Sequence, residues 1–533
     1  MPTQVTIPED LLVFNGIDGR TGQYLIAPMS AQRLVSVIRD ERKDWDADHF
    51  SDLKDRDERE RLGTYAIEEG KDPSDLAQSG WGVVFPAALD GSTADALREA
   101  LRELLEHRKK QARGSYEEGG LYREFTGPDG YRRGESTKKW LNRLGTDLGT
   151  VNPAKGIPYY VLIVGDPNSI PYTFQYELDV DRAVGRIFFE TLDEYASYAR
   201  SVVAAETGKV ARSPRAAFFG VTNPDDRATQ LSTQYLIQPL AERFEKAKQK
   251  NSPDFVKEID SWQFESVRGD KATKECLLKL MGGDQSPALL FTASHGMGFS
   301  PGDVEQLEYQ GALLCQDWGG PYGGGVRRDD YLAGEDVKDD ACVLGMIDFH
   351  FACYGAGTPY YDDFYRRLNR TRSPIAPYAF LAKLPRRLLG HPKGGALAVV
   401  GHVERAWTHS FKWSTSAEQT TSFYSTLLRL MRGMPVGHAL EYMNGRYASI
   451  SVQLNNTLEN WEFDQDTNLL ADLWTGNNDA RGYAIIGDPA VKLAVAANDE
   501  QVIDRGTIEL VPHRTGALPP ILDAKSKPGA AVE

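Results

Sequence analysis

Two residues of the types used in covalent catalysis follow consecutive, largely apolar segments of the chain. His295 stands between Ser294 and Gly296, directly after the apolar run 288–293, and Cys353 follows the run 342–349. A cysteine is a nucleophile in its thiolate form, and a neighbouring imidazole can stabilise the thiolate and later protonate a leaving amine. His295 and Cys353 are therefore predicted to form a catalytic dyad for acyl transfer.

The same two positions predict a site for the oxyanion of that reaction. Gly296 has no side chain, so its backbone N–H can approach a reacting carbonyl oxygen closely. With the N–H of Cys353 it is expected to form an oxyanion hole, in which a single donor contributes about 3–4 kcal/mol. Taken alone, a cysteine at a strand end is commonly a small buried apolar residue and a lone histidine is commonly structural. Their occurrence at successive strand ends beside glycines favours the dyad.

The segments around these residues predict how they are positioned. From residue 157 onwards, short apolar runs that end in turns alternate with helical stretches, the runs being 159–164, 215–219, 288–293, 342–349, 396–400 and 483–486. Continuous apolar strands separated by helices are typical of a parallel sheet covered on both faces. Polar residues that follow such strands gather along the carboxyl edge of the sheet, where open α/β sheets place their sites. The sequence therefore predicts an α/β protein.

The length of 533 residues predicts two or three packed units. Residues 1–156 are expected to be an N-terminal extension of unclear fold, and residues 157–270 a first α/β subdomain. Residues 271–495 are expected to be the catalytic subdomain, and residues 496–533 a polar, mobile C-terminal tail.

Five segments in order resemble segments of caspase-like cysteine peptidases of the gingipain type: 164–171 with 181–187, 293–296, 347–355, 394–401 with Trp407, and 486–493. The resemblance implies a caspase-like parallel sheet flanked by helices and divided into two subdomains. It also implies that His295 and Cys353, both in the second subdomain, are the catalytic residues. Three features depart from the pattern: the segment 297–340 is long, His350 stands where gingipains have an acid, and residues 1–156 have no match.

The substrate preference is predicted from the same resemblance. It implies that Trp407 walls the primary specificity pocket, although a packed aromatic residue is the alternative. A basic residue before the scissile bond needs a carboxylate at the pocket floor, and the candidates near the site are Asp225, Asp226, Glu404 and Asp348. These acids can equally be surface or capping residues. We expect cleavage after Arg, with Lys second.

The segment 319–340 between the dyad residues is rich in glycine and charge. Such a segment buries little surface and is expected to be exposed and mobile. It contains Arg327 and Arg328, a dibasic pair at which the enzyme itself or an upstream protease could cut to activate the chain. The alternative is an ordinary surface loop that shapes the substrate cleft.

Composition and the absence of certain motifs argue against several other classes of protein function. A formal net charge of −15 argues against general nucleic-acid binding. No apolar segment is long enough to span a bilayer, the start lacks the pattern of a secretory signal, and four cysteines make no disulfide framework, so a cytoplasmic protein is expected. There is no phosphate-binding loop and no zinc helix motif, and His402 and His409 have no convincing partner ligands. No cofactor, metal, nucleic acid or membrane partner is expected.

The expected partners are protein or peptide substrates and an upstream activating protease or inhibitor protein. By family analogy, the chain is expected to act in a bacterial stress response or in antiphage defence, including a proteolytic cascade downstream of CRISPR signalling. The alternative is a catalytically idle caspase-like module that binds partners.

Overall fold

The computed structural model describes residues 11–13, 15–41, 67–114, 120–366, 372–413, 419–461, 465–497 and 501–503. It shows a mixed α/β protein with a large, mostly parallel central sheet flanked by helices, which confirms the predicted fold class. The strands are β1 (Gly16–Asp18), β2 (Trp81–Val84), β3 (Tyr122–Phe125), β4 (Tyr160–Val164), β5 (Ala183–Ile187), β6 (Arg215–Gly220), β7 (Gln263–Arg268), β8 (Leu289–Ala293), β9 (Gly296–Gly298), β10 (Leu313–Leu314), β11 (Tyr331–Leu332), β12 (Ile347–Phe351), β13 (Gly357–Thr358), β14 (Tyr361–Arg366), β15 (Arg372–Pro374), β16 (Phe380–Leu381), β17 (Ala398–His402) and β18 (Tyr483–Gly487).

The helices alternate with these strands along the chain. They are α1 (Ala31–Glu41), α2 (Leu76–Ser79), α3 (Gly91–Ala100), α4 (Arg102–Arg113), α5 (Thr137–Arg143), α6 (Tyr172–Leu178), α7 (Leu192–Glu206), α8 (Arg227–Ser232), α9 (Gln238–Ala247), α10 (Lys274–Leu280), α11 (Gln306–Tyr309), α12 (Lys383–Leu389), α13 (Thr421–Met431), α14 (Val436–Ala439), α15 (Glu441–Glu459) and α16 (Thr467–Arg481).

Ten strands form one continuous sheet in the order β3-β2-β4-β5-β18-β17-β12-β8-β6-β7. All neighbouring pairs in this sheet are parallel except β17 and β18. The carboxyl ends of β6, β8, β12 and β17 therefore open at the same edge. This edge is where the sequence placed the site.

Strand β4 shows why the apolar runs form this sheet. Tyr160, Leu162 and Val164 pack into the largest core of the molecule, whereas Val161 and Ile163 pack into a second core on the opposite face. Successive side chains of a strand point to opposite faces, so a strand covered on both sides is apolar at every position.

The sheet has a four-strand part, β3-β2-β4-β5, and a six-strand part that runs from β18 to β7. The region 1–156 supplies β2 and β3 of the first part, so it contributes directly to the sheet. Strands β6 and β7, from the segment 157–270, lie in the six-strand part beside β8. The domain boundaries at 156 and 270 stay predictions.

A second, four-stranded sheet lies beyond the end of β8, in the order β1-β9-β10-β11. Its first strand comes from the N-terminal region and pairs in parallel with β9, Gly16 opposite Gly296. The sheet buries Ile17, Met297 and Leu314 together with Trp318. Residues far apart in the chain thus meet next to His295.

Two further expectations concern membranes and the C-terminal tail. In the described part of the chain, every helix is too short or too polar to cross a bilayer. Most of the tail 496–533 lies outside the described residues. Within it, Ile503 exchanges two backbone hydrogen bonds with Ala211.

Candidate active site at the carboxyl edge of the sheet

His295 and Cys353 follow two adjacent parallel strands at equal distances. Ala293 at the end of β8 is in register with Phe351 at the end of β12, and each of the two candidate residues comes two positions later. Gly296 lies directly against the backbone of Cys353, because a Cβ atom on Gly296 would be 1.7 Å from the Cys353 carbonyl oxygen. The structure therefore brings His295, Gly296 and Cys353 together.

The imidazole of His295 is held by a buried carboxylate. Its Nε2 lies 2.7 Å from Oδ2 of Asp226, and both side chains are fully buried. The same carboxylate accepts hydrogen bonds from the hydroxyls of Tyr24 (2.6 Å) and Thr229 (2.6 Å). The rings of Tyr24 and Trp318 pack edge-on against the imidazole. These contacts fix the orientation of the ring.

The charge of Asp226 depends on these contacts. Burial by itself would raise the pKa of Asp226, but the interaction with His295 and the three hydrogen bonds hold this pKa below its usual value. Nδ1 of His295 has no hydrogen-bond partner within the described residues. It is therefore the ring nitrogen that remains for the thiol.

The thiol of Cys353 is enclosed. Its side chain is fully buried, and its Sγ accepts a hydrogen bond of 3.2 Å from the backbone N–H of Ala406. Burial raises the pKa of the Cys353 thiol to about 12, although the Ala406 N–H and the charge of Arg405 lower it to a smaller extent. In this state of the molecule the sulfur is a neutral thiol near pH 7.

Three residues other than glycine have positive φ in the described chain, and all three flank this edge: Asp225 (53°), Tyr354 (58°) and Glu404 (78°). Asp225 directly precedes Asp226, Tyr354 directly follows Cys353, and Glu404 lies two positions before Ala406. The N–H of Tyr354 donates to the carbonyl of Glu404 (2.5 Å), which joins two of the strained turns. Such conformations cost about 1–3 kcal/mol each and cluster at functional sites.

The four acids proposed for the specificity pocket lie in different environments. Asp226 is engaged by His295, as described above. Glu404 is buried and forms an ion pair with Arg405, which also binds Asp362 through two nitrogens. Asp225 is partly exposed in the turn before Asp226.

Asp348, the fourth acid, lies inside β12 rather than at its end. It is opposite Leu290 of β8 and Val399 of β17 and is fully buried. Neither carboxylate oxygen has a hydrogen-bond partner among the described residues, and Oδ2 lies 3.9 Å from Nε2 of His350. Burial raises the pKa of Asp348 to about 7. This position places the acid in the sheet and away from the strand ends.

Trp407 is buried near the candidate dyad. Its ring packs against Phe364 with 4.1 Å between ring centroids, and its backbone N–H donates to Oδ1 of Asp479. With Glu404 and Arg405 it lines a small cavity of about 10 Å³. The role of Trp407 as a pocket wall and its alternative as a packed aromatic residue both fit this position.

The dibasic pair lies between β8 and β12, and both arginines form ion pairs. Arg327 is mostly exposed and pairs with Asp330. Arg328 pairs with Glu335 and Asp336, and its guanidinium lies over the ring of Tyr331. The expectation of a uniformly exposed segment is wrong for 330–334, which is buried and contains β11. The apolar residues 331–333 supply the reason, since Tyr331 and Ala333 pack with the residues of the second sheet and Leu332 packs into the largest core.

The described residues hold no group of three or more His, Cys, Asp or Glu side chains placed to bind one ion. His402 instead approaches the carbonyl of Asp479, and His409 approaches the carboxylate of Asp472.

Sequence reasoning missed two features of the site. Asp226 was proposed as a substrate ligand, whereas the structure places it on His295. Tyr24 and Trp318 were not proposed at all. The signal for Asp226 was available, because it lies in the loop after β6, the strand next to β8. For Tyr24, 271 positions before His295, no local pattern exists.

Comparisons with known proteins add little. No family model matches the chain, and no curated protein matches it. One solved structure, described as "Structure of Protease", is 12% identical over 78% of each chain, with a TM-score of 0.41. At this identity and TM-score the likeness supports no conclusion about function.

Proposed function

We propose that the chain is a cysteine endopeptidase in which Cys353 is the nucleophile and His295 the general acid–base, with Asp226 orienting His295. The observation that carries the proposal is the joint placement of these three residues at one sheet edge. Cys353 and His295 follow adjacent strands, and Nε2 of His295 is 2.7 Å from Asp226. Acyl transfer is expected to need a nucleophile, a base next to it, and a group that orients the base; Cys353, His295 and Asp226 are placed for these three roles.

In the proposed reaction His295 takes the proton of the Cys353 thiol, and the sulfur attacks the carbonyl carbon of a peptide bond. The backbone N–H of Gly296 stabilises the oxyanion. The residue can lie this close to Cys353 because it has no side chain, and a Cβ atom there would clash with the Cys353 backbone. His295 then protonates the leaving amine, and water hydrolyses the thioester. Asp226 stabilises the charged imidazole throughout, since its own pKa is held low.

The preference for Arg, and then Lys, before the scissile bond stays a prediction. It needs a carboxylate that a substrate guanidinium can reach. Asp226 and Glu404 already bind His295 and Arg405, and Asp348 lies inside β12. Asp225, partly exposed beside the site, is the remaining candidate. A peptide panel that varies only this substrate residue tests the preference.

Activation at Arg327 or Arg328 also stays a proposal, because the exposed Arg327 could be reached by a protease. Replacing both residues with Ala and following chain integrity and turnover tests it. If the wild type is cut there and the uncut variant is fully active, cleavage at this site does not activate the enzyme. The cellular setting in bacterial stress or antiphage defence, including CRISPR-linked cascades, rests on family analogy alone.

Turnover of a peptide library tests the central proposal. Cys353→Ala and His295→Ala are each expected to abolish hydrolysis while the fold stays intact, which circular dichroism checks. Cys276→Ala is the matched control, since Cys276 is a partly exposed cysteine on α10. Near wild-type hydrolysis by Cys353→Ala would refute the proposal. The alternative, an idle binding module, predicts that a peptidyl-ketone probe labels Cys353 no faster than Cys276.

A further inference from the structure

The N-terminal segment of the chain runs through the candidate active site. Leu12 exchanges two backbone hydrogen bonds with Met29, and the carbonyl of Val13 accepts a hydrogen bond of 3.0 Å from the hydroxyl of Thr408. The backbone N–H of Asn15 then donates to the carbonyl of Ala406 (3.3 Å). Beyond Asn15 the chain continues as β1 beside β9. Backbone pairing of an extended segment on both sides of a thiol is how a protease holds its substrate.

Asn15 and Gly16 meet the reactive groups directly. The N–H of Gly296, the proposed oxyanion donor, points to the carbonyl oxygen of Asn15 at 3.4 Å. This is a long hydrogen bond, as is common before a transition state forms. A Cβ atom on Gly16 would lie 3.2 Å from Sγ of Cys353. The peptide bond between Asn15 and Gly16 is therefore the one that faces the thiol.

The side chains at these two positions indicate what the site accepts. Asn15 is only 1% exposed, and neither its Oδ1 nor its Nδ2 has a hydrogen-bond partner among the described residues. Burying a charged side chain there costs much more than burying a neutral amide. A Cβ on Gly16 would also lie 2.7 Å from Leu25. A short neutral residue followed by glycine fits this space.

We propose that the chain is its own substrate and cuts the Asn15–Gly16 bond, and that the substrate class of the site is a short, neutral residue followed by glycine. This inference rests on the proposed endopeptidase function and deepens it, and it replaces the predicted preference for Arg with one for a neutral residue.

The chemistry of the cut is that of the proposed enzyme. Sγ of Cys353 bonds to the carbonyl carbon of Asn15 and gives its proton to His295. The bond from that carbon to the nitrogen of Gly16 breaks, and His295 returns the proton to this nitrogen, which becomes a new N-terminus. Water then cleaves the thioester, leaving a carboxyl group on Asn15 and a free thiol.

The cut also changes access to the site. Before it, Cys353 and His295 are fully buried, with Gly16 against the sulfur and Tyr24 against the imidazole. After it, residues 1–15 are joined to the rest of the protein only by non-covalent contacts such as those of Leu12 and Val13. Gly16 to Asp18 stay paired with β9, and Tyr24 still binds Asp226. Loss of residues 1–15 therefore opens one side of the cleft.

The test follows the purified full-length chain over time by intact mass and N-terminal sequencing. The expected product begins at Gly16 and forms at a rate that does not depend on protein concentration, because the bond already lies in the cleft. Cys353→Ala should form none. Asn15→Gln should be cut about tenfold more slowly, since one added methylene in an enclosed site costs about that much. Asn15→Arg should be slower still.

Asn460→Gln is the matched control, because Asn460 is exposed at the end of α15. It should be cut at the wild-type rate. Thermal unfolding of every variant shows whether a slower cut reflects the bond or a loss of the fold. If Asn15→Gln unfolds, Asn15→Ser serves as the second short, neutral variant, and cutting of that variant within about tenfold of wild type is expected.

Separate outcomes distinguish this inference from the proposed function. A wild-type chain that hydrolyses peptides through Cys353 while its 15–16 bond stays intact overturns the inference and leaves the endopeptidase standing. A faster cut in Asn15→Arg, or a first cut at Arg327 or Arg328, overturns the neutral-residue preference in favour of a basic one. A chain that neither cuts itself nor hydrolyses any peptide overturns both.

Discussion

Two buried aspartate–histidine pairs lie in the same half of the sheet and behave in opposite ways. Asp226 and His295, at the carboxyl edge, are 2.7 Å apart, and the carboxylate has two further hydroxyl donors. Asp348 and His350, within β12, are 3.9 Å apart, and neither side chain has a hydrogen-bond partner in the described chain. Burial is complete in both pairs.

The difference appears in the direction of the pKa shifts. Burial raises the pKa of Asp348 to about 7 and lowers the pKa of His350 to about 4, so both are favoured in their neutral forms. For Asp226, the contact with His295 and the hydrogen bonds outweigh burial, and its pKa is lowered. Burial alone removes charge, whereas burial with donors keeps it. A carboxylate can support a charged imidazole only in the second case.

The largest expected effect is on catalysis at the edge. Asp226→Asn should lower kcat/KM for peptides by about 10²-fold or more, because the amide cannot stabilise a protonated His295. Asp95→Asn is the control, since Asp95 is 80% exposed on α3, away from the candidate dyad. Steady-state kinetics measures the loss in kcat/KM, and thermal unfolding checks that each variant is folded at the assay temperature. Equal losses in the two variants would contradict the assigned role of Asp226.

The next effect is on stability and comes from the Asp348–His350 pair inside β12. Between about pH 4 and pH 7 the unfolded chain ionises Asp348 while the native state keeps it protonated, so the free energy of unfolding falls as pH rises, by up to about 4 kcal/mol. Asp348→Asn removes this loss. Denaturant titrations from about pH 4 to pH 8 should show that the free energy of unfolding of the variant increases relative to that of the wild type as pH rises. An exposed control, Asp95→Asn, should not change the slope.

His350 should act with the opposite sign. Below its usual pKa of about 6.5 the unfolded chain takes up a proton, whereas the native state does so only near pH 4. The free energy of unfolding therefore falls as pH drops through this range, by up to about 3 kcal/mol. His350→Gln should remove that loss, and the double variant with Asp348→Asn should lose both slopes. A double variant that keeps the wild-type slope would show that other groups cause it.

The smallest expected effect comes from removing one hydrogen bond to the Asp226–His295 pair. Tyr24→Phe removes one of the donors to the Asp226 carboxylate, and a hydrogen bond to a charged group contributes about 2 kcal/mol. The loss should also raise the pKa of Asp226, because the hydrogen bond from Tyr24 helps to lower it. Thermal unfolding and the acid limb of the pH–rate profile measure the two effects. An unchanged midpoint and profile would mean that water replaces the hydroxyl.

The predicted strands illustrate how far sequence patterns reach. The run 288–293 and the run that leads to Cys353 correspond to β8 and β12, because strands buried on both faces leave a continuous apolar signature. In contrast, the strands β2 and β3 were missed within residues 1–156. Each has four residues, and β3 includes Arg123 and Glu124, so its alternation is weak against the helices around it.

What the sequence by itself determined is local. Apolar runs and the glycines that end them predicted a parallel sheet and placed His295 and Cys353 after neighbouring strands, because strand formation depends on residues close in the chain. Only the tertiary structure decided that Asp226 binds His295, that Asp348 is buried without a donor, and that Gly16 lies against Cys353. Those contacts join segments separated by tens to hundreds of residues, and the packing of whole strands and helices sets their distances. No periodicity in a single segment records such a distance.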